Sequence, residues 1–415
     1  MTDWSLNRGE WAEGYVFLKV LGDGRIHAGT SDMKPIEDTY LDIKNVQRRS
    51  GSDIYTFERT KIGQIACIVE CYKNGEKYIG VPSDLFRDHA KALYVKISGS
   101  GTGNISSSDT QKFFESIDVK KTVKSPPMSS DEKEKYGGKT DIFLRVKNSM
   151  DNMEEDIGFS IKSHFGSPST LLNCGKGTTY LFDIGNCSDE DMIELNKLGT
   201  VKEQLRYIKE SDHLSISAIS SAVITTSGKN PVSGPIFDFN LEHVDSNMAK
   251  VIPFMLLCLH GYYEEPASRN IPDVVEAISK KNPLNLRSPS NPYATMFKKL
   301  LFASFCGLTA SKLWDGKGRV SGGYLDVSED GNVLYFRALS DDQFLSYLYN
   351  STVIDNPSKG KRHSEIRKEA LQGQIVKDIS RYKPDHGDYG YVFEYNDDGV
   401  TRRVLGINFQ IRFRR

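Results

Sequence analysis

Between Thr140 and Asn173 the chain carries the pattern that most restricts how it can fold. Over residues 141–147, Ile142, Leu144 and Val146 alternate with Phe143, Arg145 and Lys147. A period of two belongs to a strand with one buried face. A second segment, 157–162, reads IGFSIK, and an acidic stretch joins the two. Two such segments predict a pair of adjacent antiparallel strands. That pairing brings together residues about 20 positions apart. Asp141 opens the first strand and Lys162 ends the second.

Composition sets the outer bounds. With 415 residues the chain can build two or three domains, each with its own core. Lys+Arg 54 against Asp+Glu 55 excludes a histone-like binder whose whole surface is basic, but it allows a local basic cleft. The 38% hydrophobic and 10% aromatic content is that of an ordinary globular chain. Cys67, Cys71, Cys174, Cys187, Cys258 and Cys306 are scattered, and no signal peptide is read, so reduced thiols in a cytoplasmic protein are expected. Cys67 and Cys71 lack the second pair a zinc knuckle needs. The most apolar window, 251–263, holds Pro253 and His260 and is too short to cross a bilayer, so no membrane partner is expected.

Along the chain, residues 4–22 predict an amphipathic helix with Asn7 as N-cap, Glu10 completing a capping box and Gly22 as the stop. Glu10 and Glu13 lie on neighbouring turns of one face. From 24 to 98 short β-patterned runs follow, with Asn74-Gly75 as a hairpin turn, and a helix is expected around 87–93. Residues 98–109 read as a Gly/Ser linker and 111–117 as a short helix. After Asn173 come a strand (TTYLFDIG), one helix over 188–210, a strand over 215–226 and a mostly helical stretch, 241–313. The last hundred residues open on Gly322-Gly323 and a hairpin turning at Asp330-Gly331. A short helix follows, then a basic loop over 356–368, then one Arg-rich terminal strand over 402–415.

Asp141 and Lys162 admit two readings. One is an ordinary charged pair at strand ends. The other is a phosphodiester-cleaving site, which needs an activated water, a cation and help for the leaving oxygen. Mg2+ suits that task because it binds carboxylate and backbone oxygens and keeps reactive waters. The stretch resembles the PD-(D/E)xK nuclease fold, in which an Asp opens one strand and a second acid sits two before a Lys on the next. Asp141 and Lys162 match the outer positions, but the middle one is Ser160. The resemblance implies that an acid on the preceding helix replaces it, with Glu13 ahead of Glu10 and with Glu190, Glu194 and Glu203 as further donors. The Ile161 carbonyl would face the same metal.

GSPST, 166–170, offers hydroxyls and backbone N–H groups of the kind that grip phosphate, and it reads equally as a tight turn. Ser163, Ser167, Ser169, Thr170 and Asn173 are the candidates there. The loop with Lys361, Arg362 and His363 and the terminal strand with Asn408, Gln410 and Arg412 are candidates for base or phosphate contact. Arg362 and Gln410 head the base readers.

The segments NRGEWAEGYVFLKVL, GFSIKSHFGSPSTLLN, GGYLDV with EDGNVLYF, NST with NPSKGKRH, and INFQIRF occur in this order over residues 7–413. Together they resemble the HpaII-type restriction endonucleases. The resemblance implies a type II restriction enzyme that cuts double-stranded DNA with Mg2+, at CCGG or a related site. It also implies a cognate DNA methyltransferase as genetic partner, and a palindromic target would suit a homodimer. The expected fold is α/β (α+β), a PD-(D/E)xK-like mixed sheet flanked by helices. Residues 1–22 would be the first helix of the nuclease core and 23–130 a β-rich inserted DNA-binding region. Residues 131–235 would be the catalytic core and 236–415 a C-terminal α+β DNA-recognition region. Two rivals are a DNA-binding protein with an inactive nuclease core and a structure-selective repair nuclease.

Overall fold

The computed structural model describes residues 4–30, 33–62, 66–100, 103–119, 140–165, 170–221, 236–316, 322–337, 341–357, 360–382, 389–397 and 400–414. The strands in chain order are β1 (Ser5–Leu6), β2 (Arg25–Gly29), β3 (Pro35–Ser50), β4 (Asp53–Ile62), β5 (Ala66–Lys73), β6 (Glu76–Pro82), β7 (Ile105–Ser106), β8 (Ile142–Asn148) and β9 (Glu154–Ser163). They continue as β10 (Thr170–Leu172), β11 (Thr179–Gly185), β12 (Ser215–Ser221), β13 (Gly323–Val327), β14 (Val333–Arg337), β15 (Thr352–Asp355), β16 (Val392–Asp397), β17 (Val400–Asn408) and β18 (Gln410–Phe413). Three helices are labelled: α1 (Arg8–Asp23), α2 (Ser83–Gly99) and α3 (Ser108–Ser116). The architecture is mixed α+β, and the chain divides into two compact units, 1–169 with 318–347 and 415, and 170–317 with 348–414.

The first unit is a nine-stranded sheet in the order β2-β14-β13-β9-β8-β3-β4-β5-β6. β2 also pairs with β3, so the strands from β2 round to β3 close on themselves. The expected antiparallel pair is present, with Ile142 opposite Phe159 and Leu144 opposite Ile157. Strands β3 to β6, read from sequence as an insertion, continue the same sheet beyond β8.

α1 is buried along most of its circumference, from Trp11 and Val16 to Leu18 and Leu21. It shares one core with Ile142, Leu144, Val146, Ile157 and Phe159 of the sheet. Its start is as expected: Asn7 accepts from the Glu10 N–H and Glu10 accepts from the Asn7 N–H. Its end is not. Gly22 lies inside the helix, and a side chain there would run into the backbone of Arg87 on α2. The stop is Gly24, at φ 74°, a conformation that glycine adopts without strain.

The second unit holds a four-stranded sheet, β12-β11-β17-β16, and a three-stranded sheet, β10-β18-β15, with helices between. Three sequence readings change here. The helix over 188–210 is two, Asp189–Lys197 and Val201–Glu210, because Ser188 and Thr200 each cap a separate start. The basic loop is largely the helix Lys361–Leu371. The terminal strand is two strands in different sheets, parted at the buried Phe409.

The Gly322-Gly323 pair sits where β13 lies between β9 and β14. A side chain on Gly323 would overlap the Phe336 carbonyl, and one on Gly322 the Gly158 carbonyl. Gly323→Ala is expected to cost about 3 kcal/mol, as overpacking against backbone does, read from urea unfolding. In the second unit His260 is 5% exposed and its Nε2 has no hydrogen-bond partner among the described residues. Burial first, then Arg269 and Lys202, push its pKa from the ordinary 6.5 down to about 3. The folded chain therefore keeps the ring neutral where the unfolded chain binds a proton. Its contribution to stability is complete above the ordinary value of 6.5 and falls as pH drops from there toward about 3. The slope is about 1.4 kcal/mol per pH unit. His260→Leu should remove that slope when stability is measured between pH 7 and 4.

Candidate active site

The site begins where β8 begins. The Asp141 N–H donates to the Phe159 carbonyl, which extends the β8–β9 ladder one residue past the strand. The Asp141 side chain then takes over. Its Oδ2 accepts from the Ser160 hydroxyl at 3.0 Å and from the Ile161 N–H at 2.8 Å. Oδ1 has no hydrogen-bond partner among the described residues. Within an extended strand a residue's N–H and C=O point to the same edge, so the Ile161 carbonyl also faces past the start of β8. Asp141, Ser160 and the Ile161 backbone are thus together. Ser160 ties down one carboxylate oxygen and supplies no second charge.

Alternation along β9 decides which helix can reach the site. Ile157 and Phe159 join the α1 core and Ile161 packs against it. Ser160 and Lys162 therefore point to the other face. Tyr324 and Asp326 of β13 are the register partners of Ser160 and Lys162 and share that face. The Lys162 ammonium lies 5.4 Å from the centre of the Tyr324 ring, within cation–π range. Sequence reasoning assigned the missing acid to α1, but α1 packs on the opposite face. Glu10 is also committed to its capping box. Among the described residues no group of three or more His, Cys, Asp or Glu side chains converges as a metal cage.

Two residues beside Lys162 escaped the sequence reading. Asp326 is fully buried, with one oxygen 3.0 Å from His164 Nε2 and the other accepting from the Tyr347 hydroxyl. The His164 N–H donates to the Val327 carbonyl and carries the β9–β13 pairing two residues past Lys162. The available signal was an Asp inside an otherwise apolar strand, GYLDV. What hid it was its distance in sequence from Lys162.

The other candidates spread more widely. The Ser163 hydroxyl accepts from the Phe165 N–H at 3.2 Å. Ser167 and Ser169 lie outside the described residues, as does Lys359 of the basic loop. In the second unit Thr170 is half-buried and Asn173 exposed. Lys361 is exposed, but Arg362 is 1% exposed and donates to the Tyr382 carbonyl at 3.0 Å, and His363 is 7% exposed. Asn408 is fully buried and bonded to Gly175, Thr178 and Thr179. Arg362 and Asn408 are thus engaged within the fold, and His363 is buried beside Tyr391. Arg402 pairs with Asp183, and Arg403 with Asp189 and Glu394. Glu194 pairs with Lys197, and Glu203 caps the turn at Gly199 and Thr200, so both have local roles. Gln410 and Arg412 remain on an accessible strand face.

No described helix is long and apolar enough to cross a membrane. No solved structure matches the chain. A family profile described as HpaII restriction endonuclease matches residues 7–372. The type II restriction enzyme HpaII of Haemophilus parainfluenzae is 30% identical over 411 residues, 98% of each chain. The chain therefore belongs to the HpaII restriction endonuclease family and is a type II site-specific endonuclease.

Proposed function

We propose that the chain cuts both strands of DNA at a short fixed sequence by Mg2+-assisted phosphodiester hydrolysis, with the Asp141–Ser160–Lys162 face as its catalytic centre. One observation carries the reading. In a chain of this family, an aspartate and a lysine stand on one face at the meeting ends of two antiparallel strands. A third strand, β13, lies parallel to β9 beside them, an order that suits a PD-(D/E)xK core.

The residues present fit a Mg2+ ion in a sparse way. Mg2+ takes one or two carboxylates, keeps several waters and fills its shell from substrate phosphate. Asp141 Oδ1 and the Ile161 carbonyl would be its protein ligands, with Ser160 and the Ile161 N–H fixing the carboxylate. When bound, the ion supplies charge neutralisation at the phosphate and a more acidic water. Lys162 carries the rest. Its ammonium, steadied over Tyr324, orients the attacking water and offsets charge on the phosphate oxygens. Asp326 sits beside it in register, with one oxygen 3.0 Å from His164 Nε2.

The target is CCGG or a related site, and a cognate methyltransferase in the same cytoplasm protects the host's copies. Two-fold symmetry of such a target suits a homodimer. Residues 163–173 serve the phosphate backbone through Ser163, Ser167, Ser169, Thr170 and Asn173. Lys361, Gln410 and Arg412 belong to the recognition region.

Ser160 favours one rival, a binder with an inactive core, because it removes a carboxylate. Plasmid incubated with Mg2+ separates the two: discrete fragments support the endonuclease, and a mobility shift without cutting supports the binder. Sequencing the fragment ends gives target, cut position and overhang. Lys162→Ala is expected to slow cleavage by about 10²–10⁴-fold, the range for a group acting at the reacting centre, while site-specific binding stays measurable. Cleavage at the wild-type rate would remove Lys162 from the active site.

A further inference from the structure

The accessible face of β18 carries an arrangement that the catalytic reading does not use. β18 lies between β10 and β15. Its Ile411 and Phe413 are buried, as is Ile354 of β15. Gln410 and Arg412 point the other way, together with Asp355, the register partner of Gln410. A single oxygen of Asp355, Oδ2, lies 3.3 Å from Gln410 Nε2 and 3.3 Å from Arg412 Nη1. Gln410 Nε2 also approaches the Asn356 carbonyl, at 3.4 Å. Thr170 of β10 is the register partner of Arg412 on the far side.

Asp355 and Arg412 are 38% and 25% exposed, and ion pairs that open to solvent add little stability. Holding two long side chains to one carboxylate oxygen also removes rotamer freedom. What the arrangement does provide is preorganisation: a guanidinium and an amide set side by side before any ligand arrives. These are the two groups that read base edges bidentately, Arg on guanine O6 and N7 and Gln on adenine.

We propose that Asp355 is a positioning residue for sequence readout: it sets Arg412, with Gln410 beside it, in the conformation that reads a guanine edge in the major groove of the target. The inference rests on the reading of the chain as a site-specific DNA endonuclease. Asp355 acts through Arg412, and its loss should relax recognition of one base rather than weaken all binding equally.

The test uses the full chain, wild type and Asp355→Asn, on duplexes carrying the mapped target. Each guanine is replaced in turn by 7-deazaguanine, which lacks the N7 acceptor, and by each other base. Wild type should lose at least about tenfold at one guanine, the scale of one bidentate contact. Asp355→Asn should reduce discrimination at that same guanine by about tenfold, with little added loss from the deaza base. An equal fall at every sequence, or unchanged discrimination, overturns the proposal. If Asp355→Asn fails a thermal-melt check of folding, Arg412→Lys keeps the charge and loses the fork. It must relax the same guanine, and retained discrimination there overturns the proposal equally. A wild type that makes no discrete cut sinks the endonuclease reading itself. A wild type that cuts discretely, with variants that discriminate as it does, sinks only the role of Asp355.

Discussion

The first unit depends on one substitution of side chain for backbone. At the start of β8 the ladder runs out, and the Asp141 carboxylate accepts the next N–H, that of Ile161, as a strand would have done. This single contact holds the acid against β9, along which Ser160 and then Lys162 share one face. A slip of one residue would turn Lys162 into the α1 core. The Ile157–Phe159–Ile161 face resists such a slip, since it would put Lys162 among apolar residues and Ile161 outside. Packing on one side of the sheet thus secures which side chains line the other.

α1 is first of all a packing element. A helix whose Trp11, Val16, Leu18 and Leu21 are all buried is the filling of a curled sheet. Glu10 satisfies an N–H at the helix start, where a carboxylate also favours the helix dipole. The acid nearest Lys162 in register is instead Asp326, on a strand that enters the sheet only after most of the second unit has been made.

Much of this was legible because it is local. The period of two in β8 and β9, the Asn7 cap and the Asn74-Gly75 hairpin each depend on a few consecutive residues, and each is present. What was not legible depends on partners far along the chain. The pairing of β13 with β9 leaves no trace in either segment alone. The basic run at 361–363 looked like a DNA-facing loop, yet Arg362 is inside the fold with its guanidinium on a carbonyl. Charge in a sequence says that a group must be satisfied, and it does not say whether water, protein or phosphate satisfies it. Asn408 and Gln410 make the same point two residues apart. On one uninterrupted strand they would share a face, but the break at Phe409 sends Asn408 into the core and leaves Gln410 on the accessible side.

Ser160 then takes a definite meaning. A second carboxylate at that position would lie against Asp141, and two carboxylates in contact coexist only if a cation lies between them or one takes up a proton. A hydroxyl removes that need: it donates to Asp141 and keeps the acid in place before any ion arrives. On the proposed Mg2+ reading the hold on the ion is weaker, since one carboxylate and one carbonyl would leave most of the shell to water and DNA. Metal and DNA binding in such a site should therefore be coupled, with the scissile phosphate completing the ion's shell. On that reading the site would stay poorly metallated until DNA is in place, and recognition itself would be a condition for assembling the catalyst.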